Sequence, residues 1–521
     1  MKIFLFVLLS LFFQVLAAQE FDVQHYKYEI RLSDKHDTVY VKSFIDIFLT
    51  TSGDKILLDL SSVEKGKGMM VERVYLGGMK DTTVSYSFKE NKLIIQLPQP
   101  AKAGSKKLIA VSYKGIPRDG LIITKNKFGE RTFFADNWPN RAHHWIVCKD
   151  DPADKASVEF IVTAPVKYKV ISNGILIEET ILGSEKRTHW KEKLPIPTKV
   201  MVIGVAPFAV KDYTSSPIPI SAWVYTRDSA KGFYDYEPAV DILNFFSNYI
   251  NPYPFKKLAN VQSTTIFGGM ENASAIFYAE KSVTGDRTSE ALIAHEIAHQ
   301  WFGNSATEKS FSHLWLSEGF ATYLTNIYLE SKYGKDTMIS RLKDDRKKII
   351  EFMEISNQPV VDTVSDYMDL LNANSYQKGG WILHMLRSNV GDSVFKKIIN
   401  SYYEKYQFKN ADTRDFQKVA EEVSGKDLKL FFHQWLYQPE IPQLKIEWKQ
   451  DGNVLNVVIE QLQQHILNFP LQLAIVSADN ITMHDTIQMN TKRKQLQFVV
   501  KTTISNIIPD SETQLLFKEV K

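Results

Sequence analysis

The spacing of apolar residues changes twice along the chain, and this constrains the fold more than any other feature. From residue 19 to about residue 213, segments such as "YKYEIRL" and "ASVEFIVTA" alternate apolar and polar side chains, which is typical of β-strands. Helical spacing dominates from about residue 214 to residue 440, and the remainder alternates again like strands. The sequence therefore predicts a multidomain α+β protein in the order β, mainly helical, β.

Composition changes at two places indicate the domain boundaries. The stretch "DYTSSPIPI" from Asp212 to Ile220 is rich in serine and proline, as linkers are. The helical pattern that follows includes "YEPAVDILNFFSNYI", with Pro238 in its first turn, and it stops at "PEIPQLKIEW". We predict an N-terminal β domain over residues 19–213, a helical domain over 214–440 and a β domain over 441–521.

The first 18 residues have the layout of a secretory signal peptide. Lys2 precedes an apolar run that begins at Ile3, and Ala17 and Ala18 close it. An uncleaved membrane anchor is the alternative, because the run is almost long enough to span a bilayer. We expect cleavage after Ala17 or Ala18 and export to the periplasm or the medium, with no membrane attachment afterwards.

Charge and cysteine content exclude some classes of protein. The formal net charge is only +3 over 521 residues, whereas nucleic-acid-binding surfaces show a concentrated basic patch, so we expect no nucleic-acid partner. Cys148 is the single cysteine, and an intramolecular disulfide is therefore impossible. An exported chain of this size must then be held together by its apolar cores or by a metal. The oligomeric state is left open.

The stretch "AHEIAHQWFGN" indicates a metal site. In a helix that begins near Thr288 or Ser289 and ends at Gly303, His295 and His299 lie one turn apart on one face. Two imidazoles at this spacing can reach one tetrahedral ion. Glu296 lies about 100° round the helix, next to the ion but poorly placed to bind it, which suits a base that acts on water.

A third ligand separates this hypothesis from the alternative of two core histidines. Glu318 lies in "SHLWLSEGFATYL", on a second apolar helix from about His313 to Tyr333. A buried carboxylate is costly unless it is paired or binds a metal. Two antiparallel helices with a short link would bring Glu318 opposite the histidine pair. Two histidines and one carboxylate with an open fourth position are typical of catalytic zinc.

Three motifs together resemble one enzyme family. The segments "FGGMENASAIFY", "HEIAHQWFGN" and "WLSEGFATY" are similar to those of gluzincin aminopeptidases, the family of aminopeptidase N and leukotriene A hydrolase. The strong match runs from Phe267 to Tyr323, and a weaker one extends to "NSYQKGGWILHML" and "FFHQWL". The resemblance implies an N-terminal saddle-like β-sheet domain, a thermolysin-like zinc domain and a small C-terminal β-sandwich. Many members add a C-terminal helical domain, which we do not expect here.

The resemblance also implies the catalytic machinery. His295, His299 and Glu318 would hold one Zn²⁺ per chain, and Glu296 would be the general base. Family members stabilise the oxyanion with a tyrosine of a Y-x-K-G segment, which corresponds to Tyr376 in "SYQKGG".

Substrate binding is assigned to the "GGMEN" block by the same resemblance. Gly268, Gly269 and Met270 would form an edge strand whose backbone pairs with the peptide substrate, and two glycines suit a close approach. Glu271 would bind the free α-amino group, so that one residue is removed at a time. Asn272 completes the block, and we include it among the substrate-binding residues.

A further contact is expected from the N-terminal domain. Members often place a glutamine or glutamate beside the substrate amine, a few residues before an arginine. Counting back from Arg141 in "FADNWPNRAHHWIVCKDDP" puts Asp136 at that position, although it could equally cap a turn. We interpret the pair His143 and His144, and the lone Cys148, as structural.

These observations predict an exported zinc aminopeptidase that acts on peptides with a free N-terminus. One alternative is a bifunctional relative that also hydrolyses epoxides. Another is a non-catalytic binding protein that keeps the fold, although such a relative would be expected to lose a ligand or the base. An endopeptidase is a third, and the Glu271 block argues against it.

Overall fold

The computed structural model describes residues 20–213 and 218–520. The predicted signal peptide, residues 1–18, lies outside this range. Within these two ranges, no helix is both long enough and apolar enough to cross a membrane.

Three sheets form the N-terminal region. Their strands are β1 (Phe21–Arg31), β2 (Val39–Leu49), β3 (Gly53–Asp59), β4 (Gly68–Leu76), β5 (Thr82–Thr83), β6 (Tyr86–Lys89), β7 (Lys92–Ala101), β8 (Lys106–Ile116), β9 (Leu121–Lys125), β10 (Arg131–Ala135), β11 (Lys155–Pro165), β12 (Lys169–Ser172), β13 (Ile175–Leu182), β14 (Glu185–Pro197) and β15 (Ile203–Ala206). The largest sheet has the order β13-β14-β11-β1-β2-β8-β4-β5, and the others are β12-β15-β10-β9 and β3-β7-β6. In β2, buried and more exposed side chains alternate, as the sequence pattern predicts.

A five-stranded sheet and a set of helices form the middle of the chain. The sheet has the order β16-β17-β18-β20-β19. Its strands are β16 (Phe208–Tyr213), β17 (Ile220–Tyr225), β18 (Leu258–Ser263), β19 (Gly269–Met270) and β20 (Ala275–Ala279), and a small separate pair is β21 (Thr307–Glu308) with β22 (Asn410–Ala411). The helices are α1 (Ser229–Asp235), α2 (Ala239–Tyr249), α3 (Glu290–Ala298), α4 (Trp315–Tyr333), α5 (Lys335–Met353), α6 (Gly379–Val390), α7 (Asp392–Tyr406), α8 (Thr413–Ser424) and α9 (Lys429–Leu436).

The first sheet of the helical region begins before the boundary predicted at residues 213 and 214. Strand β16 lies on the N-terminal side of that boundary, yet it pairs with β17 over its whole length, from Phe208 opposite Tyr225 to Tyr213 opposite Ile220. A boundary between β15 and β16 agrees with this pairing better than the predicted one. The serine- and proline-rich stretch therefore separates two paired strands of one sheet.

Two small sheets close the C-terminal region. They are built from β23 (Gln443–Asp451), β24 (Val454–Gln461), β25 (Phe469–Ser477), β26 (Thr482–Met489), β27 (Arg493–Val499), β28 (Ile504–Pro509) and β29 (Lys518–Glu519). The orders are β27-β24-β23-β29 and β26-β25-β28. Every second side chain of β24 is buried, which is the pattern of a sandwich strand. The predicted order of β, helical and β regions is confirmed.

Buried polar contacts join the outer regions to the helices. Lys155 of β11 donates to the carbonyl of Ser305 at 2.6 Å. On the other side, Arg346 of α5 donates to Asp510 at 2.7 Å and to the Leu515 carbonyl at 2.6 Å. These contacts hold the three regions against one another, so residues of the N-terminal region can contribute to a site on the helical one.

Candidate active site

Helices α3 and α4 bring the predicted metal ligands together. His295 lies in α3, His299 caps its C-terminal end, and Glu318 lies in the first turn of α4. The sequence pattern predicted that this helix ends at Gly303, but α3 ends at Ala298. Ser289 occupies the N-cap position as expected, but its hydroxyl donates to the Ser282 carbonyl and does not cap the helix.

The three ligand atoms form a nearly regular triangle. His295 Nε2 lies 3.1 Å from His299 Nε2, and each of these atoms lies 3.2 Å from Glu318 Oε2. Donors about 2.0 to 2.1 Å from one tetrahedral zinc ion are separated by roughly 3.3 to 3.4 Å. The spacing and the chemistry of these three groups therefore fit a zinc ion at their centre.

The other ring nitrogen of His299 is fixed by the chain that follows α3. His299 Nδ1 lies 3.1 Å from the Phe302 carbonyl oxygen and 3.0 Å from Ser317 Oγ. A proton on Nδ1 donated to the carbonyl leaves the Nε2 lone pair for the metal. The chain leaves the helix at Ala298 and returns towards His299, and the early end of α3 makes this contact possible.

Glu318 and His299 shift each other's pKa in opposite directions. Burial opposes ionisation of Glu318, but the charge of His299 and hydrogen bonds from both histidines hold its pKa well below the usual range. Burial also opposes the charge on His299, yet Glu318 raises the pKa of His299 to about 9. The site therefore favours a positive charge at its centre, which a metal cation would supply in place of the proton.

A cavity of about 230 Å³ opens directly onto the triad. Most of the predicted site residues line it together. They are Gly268, Gly269, Met270 and Glu271 of the "GGMEN" block, the ligands His295, His299 and Glu318, and the predicted catalytic residues Glu296 and Tyr376. The tertiary structure thus brings four separate sequence segments to one cavity.

Glu271 is held at the edge of the five-stranded sheet with its side chain partly unsatisfied. Its backbone carbonyl accepts hydrogen bonds from the side chains of Gln300 and Asn304, both at 2.7 Å. Its Oε1 is buried and has no hydrogen-bond partner among residues 20–213 and 218–520, and burial raises its pKa. Since buried polar atoms are almost always partnered, this oxygen is available to a ligand.

Glu296 lies directly against the edge strand. A Cβ atom built on Gly269 would be 2.2 Å from Glu296 Oε1, so the carboxylate fills the space that a side chain would take. The Glu296 side chain is almost fully buried, and burial raises its pKa well above the usual range. It therefore reaches into the space between the triad and the strand.

Tyr376 lies in a π-helical turn, Asn374–Lys378, immediately before α6. Such turns are frequent at functional sites. The tyrosine ring is nearly parallel to the His295 ring, with centroids 5.9 Å apart. A Cβ atom built on Gly319 would be 2.8 Å from the Gly379 carbonyl carbon, so the backbones of α4 and α6 touch beside the site. This close approach sets the distance between Glu318 and Tyr376.

With this geometry established, comparison with known proteins assigns the family. Residues 22–200 match the Peptidase M1 N-terminal domain, and residues 234–435 match the Peptidase family M1 domain. The chain belongs to peptidase family M1. Its fold is also that of a solved M1 zinc metallopeptidase from Deinococcus radiodurans, with a TM-score of 0.70 and 21% identity over 81% of this chain and 95% of that chain.

Curated M1 relatives are longer than this chain. Aminopeptidase M1-C from Oryza sativa subsp. japonica is 28% identical over 447 residues, which are 81% of this chain and 50% of that protein. Probable aminopeptidase 1 from Sulfurisphaera tokodaii is 27% identical over 437 residues, 78% of this chain and 52% of that protein. The chain thus spans about half the length of these relatives. Family M1 membership implies zinc, which the donor set of the triad fits.

Two predicted substrate-binding residues do not line the cavity of this M1 chain. Asp136 is fully buried and binds Arg141 at 2.7 Å through one oxygen and Thr265 Oγ1 at 2.9 Å through the other. Its partners in the structure are protein groups, and the expected contact with a substrate amine stays a prediction. Asn272 is also fully buried behind the strand, and its side-chain amide has no hydrogen-bond partner in the described part of the chain.

The sequence reasoning missed the apolar walls of the cavity. Trp138, Phe267, Leu292 and Leu371 line it beside the polar residues. Trp138 lies two residues after Asp136, and it carries no acidic or amide side chain that would mark its position as part of a site. His144 contacts Ser61 and Cys148 is fully buried, in agreement with the structural roles expected of them.

Proposed function

We propose that this M1 protein is a zinc-dependent aminopeptidase that hydrolyses the first peptide bond of peptides with a free N-terminus. The observation that carries the proposal is the meeting of the metal triad, Glu296 and the unsatisfied Glu271 carboxylate in one cavity. The aminopeptidase names of the curated relatives support it. One zinc ion per chain is part of the proposal.

Glu271 determines where the substrate is cut. A protonated α-amino group paired with this carboxylate fixes the N-terminus of the peptide in the cavity. The backbone edge of Gly269 and Met270 can then pair with the peptide in an extended conformation. Only the first peptide bond reaches the region of the triad, which favours exopeptidase over endopeptidase activity.

Zinc, when bound by the triad, acts as a Lewis acid and makes water a better nucleophile near neutral pH. Glu296 accepts one proton from the attacking water, whose oxygen adds to the carbonyl carbon of the first residue. The hydroxyl of Tyr376 donates a hydrogen bond to the carbonyl oxygen as it becomes negatively charged. Glu296 then delivers its proton to the leaving nitrogen when the carbon–nitrogen bond breaks.

The test is hydrolysis of a panel of aminoacyl-p-nitroanilides by the purified protein, with zinc content measured on every sample. We expect Glu296→Gln to keep its zinc and to lose turnover by about 100- to 10,000-fold, the range for a lost general base. We expect Glu271→Gln to keep zinc and to lose activity mainly through KM. An N-acetylated substrate should not be cleaved.

Other outcomes would point elsewhere. A protein that holds zinc but cleaves no free-amine substrate would be a binding relative, and cleavage of acetylated peptides would indicate an endopeptidase. Turnover of an epoxide by the same preparation would support the bifunctional alternative. Full activity of the Glu296→Gln variant would contradict the proposed chemistry.

We also propose that the N-terminal segment exports the protein. The support is its sequence pattern alone, with Lys2, an apolar run and the closing alanines Ala17 and Ala18. N-terminal sequencing of the protein made in its own host should begin at Ala18 or Gln19. An uncleaved N-terminus in the membrane fraction would favour the anchor alternative.

A further inference from the structure

Two aromatic side chains from different regions form one wall of the cavity. Trp138 comes from the N-terminal β region, and Phe267 precedes the edge strand. Their ring centroids are 6.0 Å apart and the rings are perpendicular, at 89°. Edge-to-face pairs of this kind hold each other in a fixed orientation. The cavity therefore has a rigid apolar surface among its lining residues.

A network of polar contacts locks the two rings together. Arg141 Nε donates to the Trp138 carbonyl at 2.7 Å, and its NH2 group donates to Asp136 Oδ1, also at 2.7 Å. The other oxygen of Asp136 accepts from Thr265 Oγ1 at 2.9 Å and from the Ile266 amide at 3.2 Å. Asp136 and Arg141 thus connect the backbone beside Trp138 to the backbone beside Phe267.

All three guanidinium nitrogens of Arg141 donate hydrogen bonds to neighbouring protein groups. Its NH1 group donates to Asp119 at 2.7 Å, and its guanidinium carbon lies 5.6 Å from the centre of the Phe267 ring. Each of the three guanidinium nitrogens therefore already donates to a protein group, which accounts for three of the five N–H donors of the side chain. Arg141 thus contacts both Trp138 and Phe267 and helps to hold the two rings in place.

The charges around the cavity are one-sided. None of the described residues that line it is a lysine or an arginine. Three glutamates line it, namely Glu271, Glu296 and Glu318. An acidic first side chain of a substrate would meet apolar rings and carboxylates and would find no lysine or arginine among the described lining residues. Burying an unpaired carboxylate in such surroundings is strongly unfavourable.

We propose that Trp138, with Phe267, is the specificity-determining wall, and that it selects a large uncharged first residue and rejects an acidic one. Asp136 and Arg141 are positioning residues for this wall. The inference rests on the proposed aminopeptidase function and names the class of substrate that it would accept. The Trp138 indole nitrogen is enclosed and has no hydrogen-bond partner in the described part of the chain, so the ring acts through its surface.

Binding and turnover should both be measured, because they fail for different reasons. Leucine hydroxamate and glutamate hydroxamate carry the same free amine and the same metal-binding group and differ in the side chain. On the zinc-loaded protein, calorimetry should give a Kd for the leucine compound at least about tenfold lower than for the glutamate compound. The ratio of kcat/KM for leucyl over alanyl p-nitroanilide is measured in parallel.

Three variants distinguish a specific effect on substrate selectivity from a general loss of folding or zinc. Trp138→Ala should lower the leucyl-to-alanyl ratio about tenfold or more with unchanged zinc content, and Trp138→Phe should largely restore it. Phe311→Leu is the matched control, because Phe311 contacts Trp138 with centroids 5.8 Å apart but does not line the cavity. It should leave the ratio unchanged.

Each result decides the matter. Equal affinity for the two hydroxamates, no binding of either, or an unchanged ratio in Trp138→Ala would overturn the wall as the specificity determinant. Preferential binding of leucine hydroxamate without turnover of any substrate would contradict the aminopeptidase function and leave the wall standing.

Discussion

Replacing Gly303 with alanine tests how closely the backbone behind His299 controls the metal site. Gly303 has a φ of +122°, a region that side chains other than glycine rarely adopt. A Cβ atom at this position would be 2.4 Å from Ser317 Oγ and 3.2 Å from His299 Nδ1. The added methyl group would thus be forced against Ser317 and against the ring of the predicted metal ligand His299.

The size of the effect follows from these distances. Ser317 Oγ would have to retreat by about 1 Å to reach an ordinary contact of 3.4 Å with the new carbon. It would then lose its 3.0 Å contact with His299 Nδ1. Loss of such a supporting contact weakens metal binding by about 10- to 100-fold. The unfavourable φ angle should also lower the free energy of unfolding by about 1–3 kcal/mol.

Gly391→Ala is the matched control for backbone strain. Gly391 has a φ of +84°, and no atom lies within 4 Å of the Cβ position. Competition with a chromogenic chelator gives the zinc Kd of each variant, and urea unfolding gives the stability. Both variants should lose stability, but only Gly303→Ala should lose zinc affinity. Zinc binding by Gly303→Ala at the wild-type level, or an equal loss in Gly391→Ala, would refute the reasoning.

Three further predictions concern the turn that carries Tyr376 and the helix α4 that packs beside it. Tyr376→Phe should reduce kcat by about 100- to 1000-fold with unchanged zinc content, as expected for a lost oxyanion donor, and a wild-type kcat would exclude that role. Gly319→Ala should lower the free energy of unfolding by about 1–3 kcal/mol, because its Cβ would meet the Gly379 backbone at 2.8 Å. Gly380→Ala, whose nearest neighbour is a side-chain methyl at 3.2 Å, should cost less in the same urea titration. Burial lowers the pKa of Lys378 from 10.5 to about 7. At a pH between these two values, the Lys378 side chain is protonated in the unfolded chain and neutral in the folded chain. The buried Lys378 therefore lowers the free energy of unfolding most below its folded pKa, and this loss shrinks as the pH rises. Lys378→Met should raise the free energy of unfolding, relative to wild type, more at about pH 6 than at about pH 9.

Much of the fold could be predicted because it depends on short-range patterns. Alternating side chains in β1, β2 and β24 and helical spacing in α4 are set by which face of each element meets a core. The end of α3 could not be predicted in this way. Its pattern continues to Gly303, but the chain turns at Ala298, and the Phe302 carbonyl then lies 3.1 Å from His299.

The candidate site likewise contains residues that local sequence patterns place and residues that only distant contacts place. His295 and His299 are neighbours because of helical geometry, and Glu318 follows on the next helix, so the triad is nearly a local property of the sequence. Asp136 is the opposite case. Its position before Arg141 resembled that of an amine-binding residue, but its side chain binds Thr265, which is 129 residues away.

The sequence by itself determined the order of β, helical and β regions, and it predicted the ligand set His295, His299 and Glu318. Both depend on apolar periodicity and on the four-residue spacing of the histidines, which act through the nearest turns of the chain. Only the tertiary structure decided that β16 joins the sheet of the helical region and that Trp138 and Phe267 form one wall. It also decided that Gly319 and Gly379 touch, which brings Tyr376 to the metal ligands. Contacts of this kind depend on how distant elements fill space together, and no local pattern encodes that.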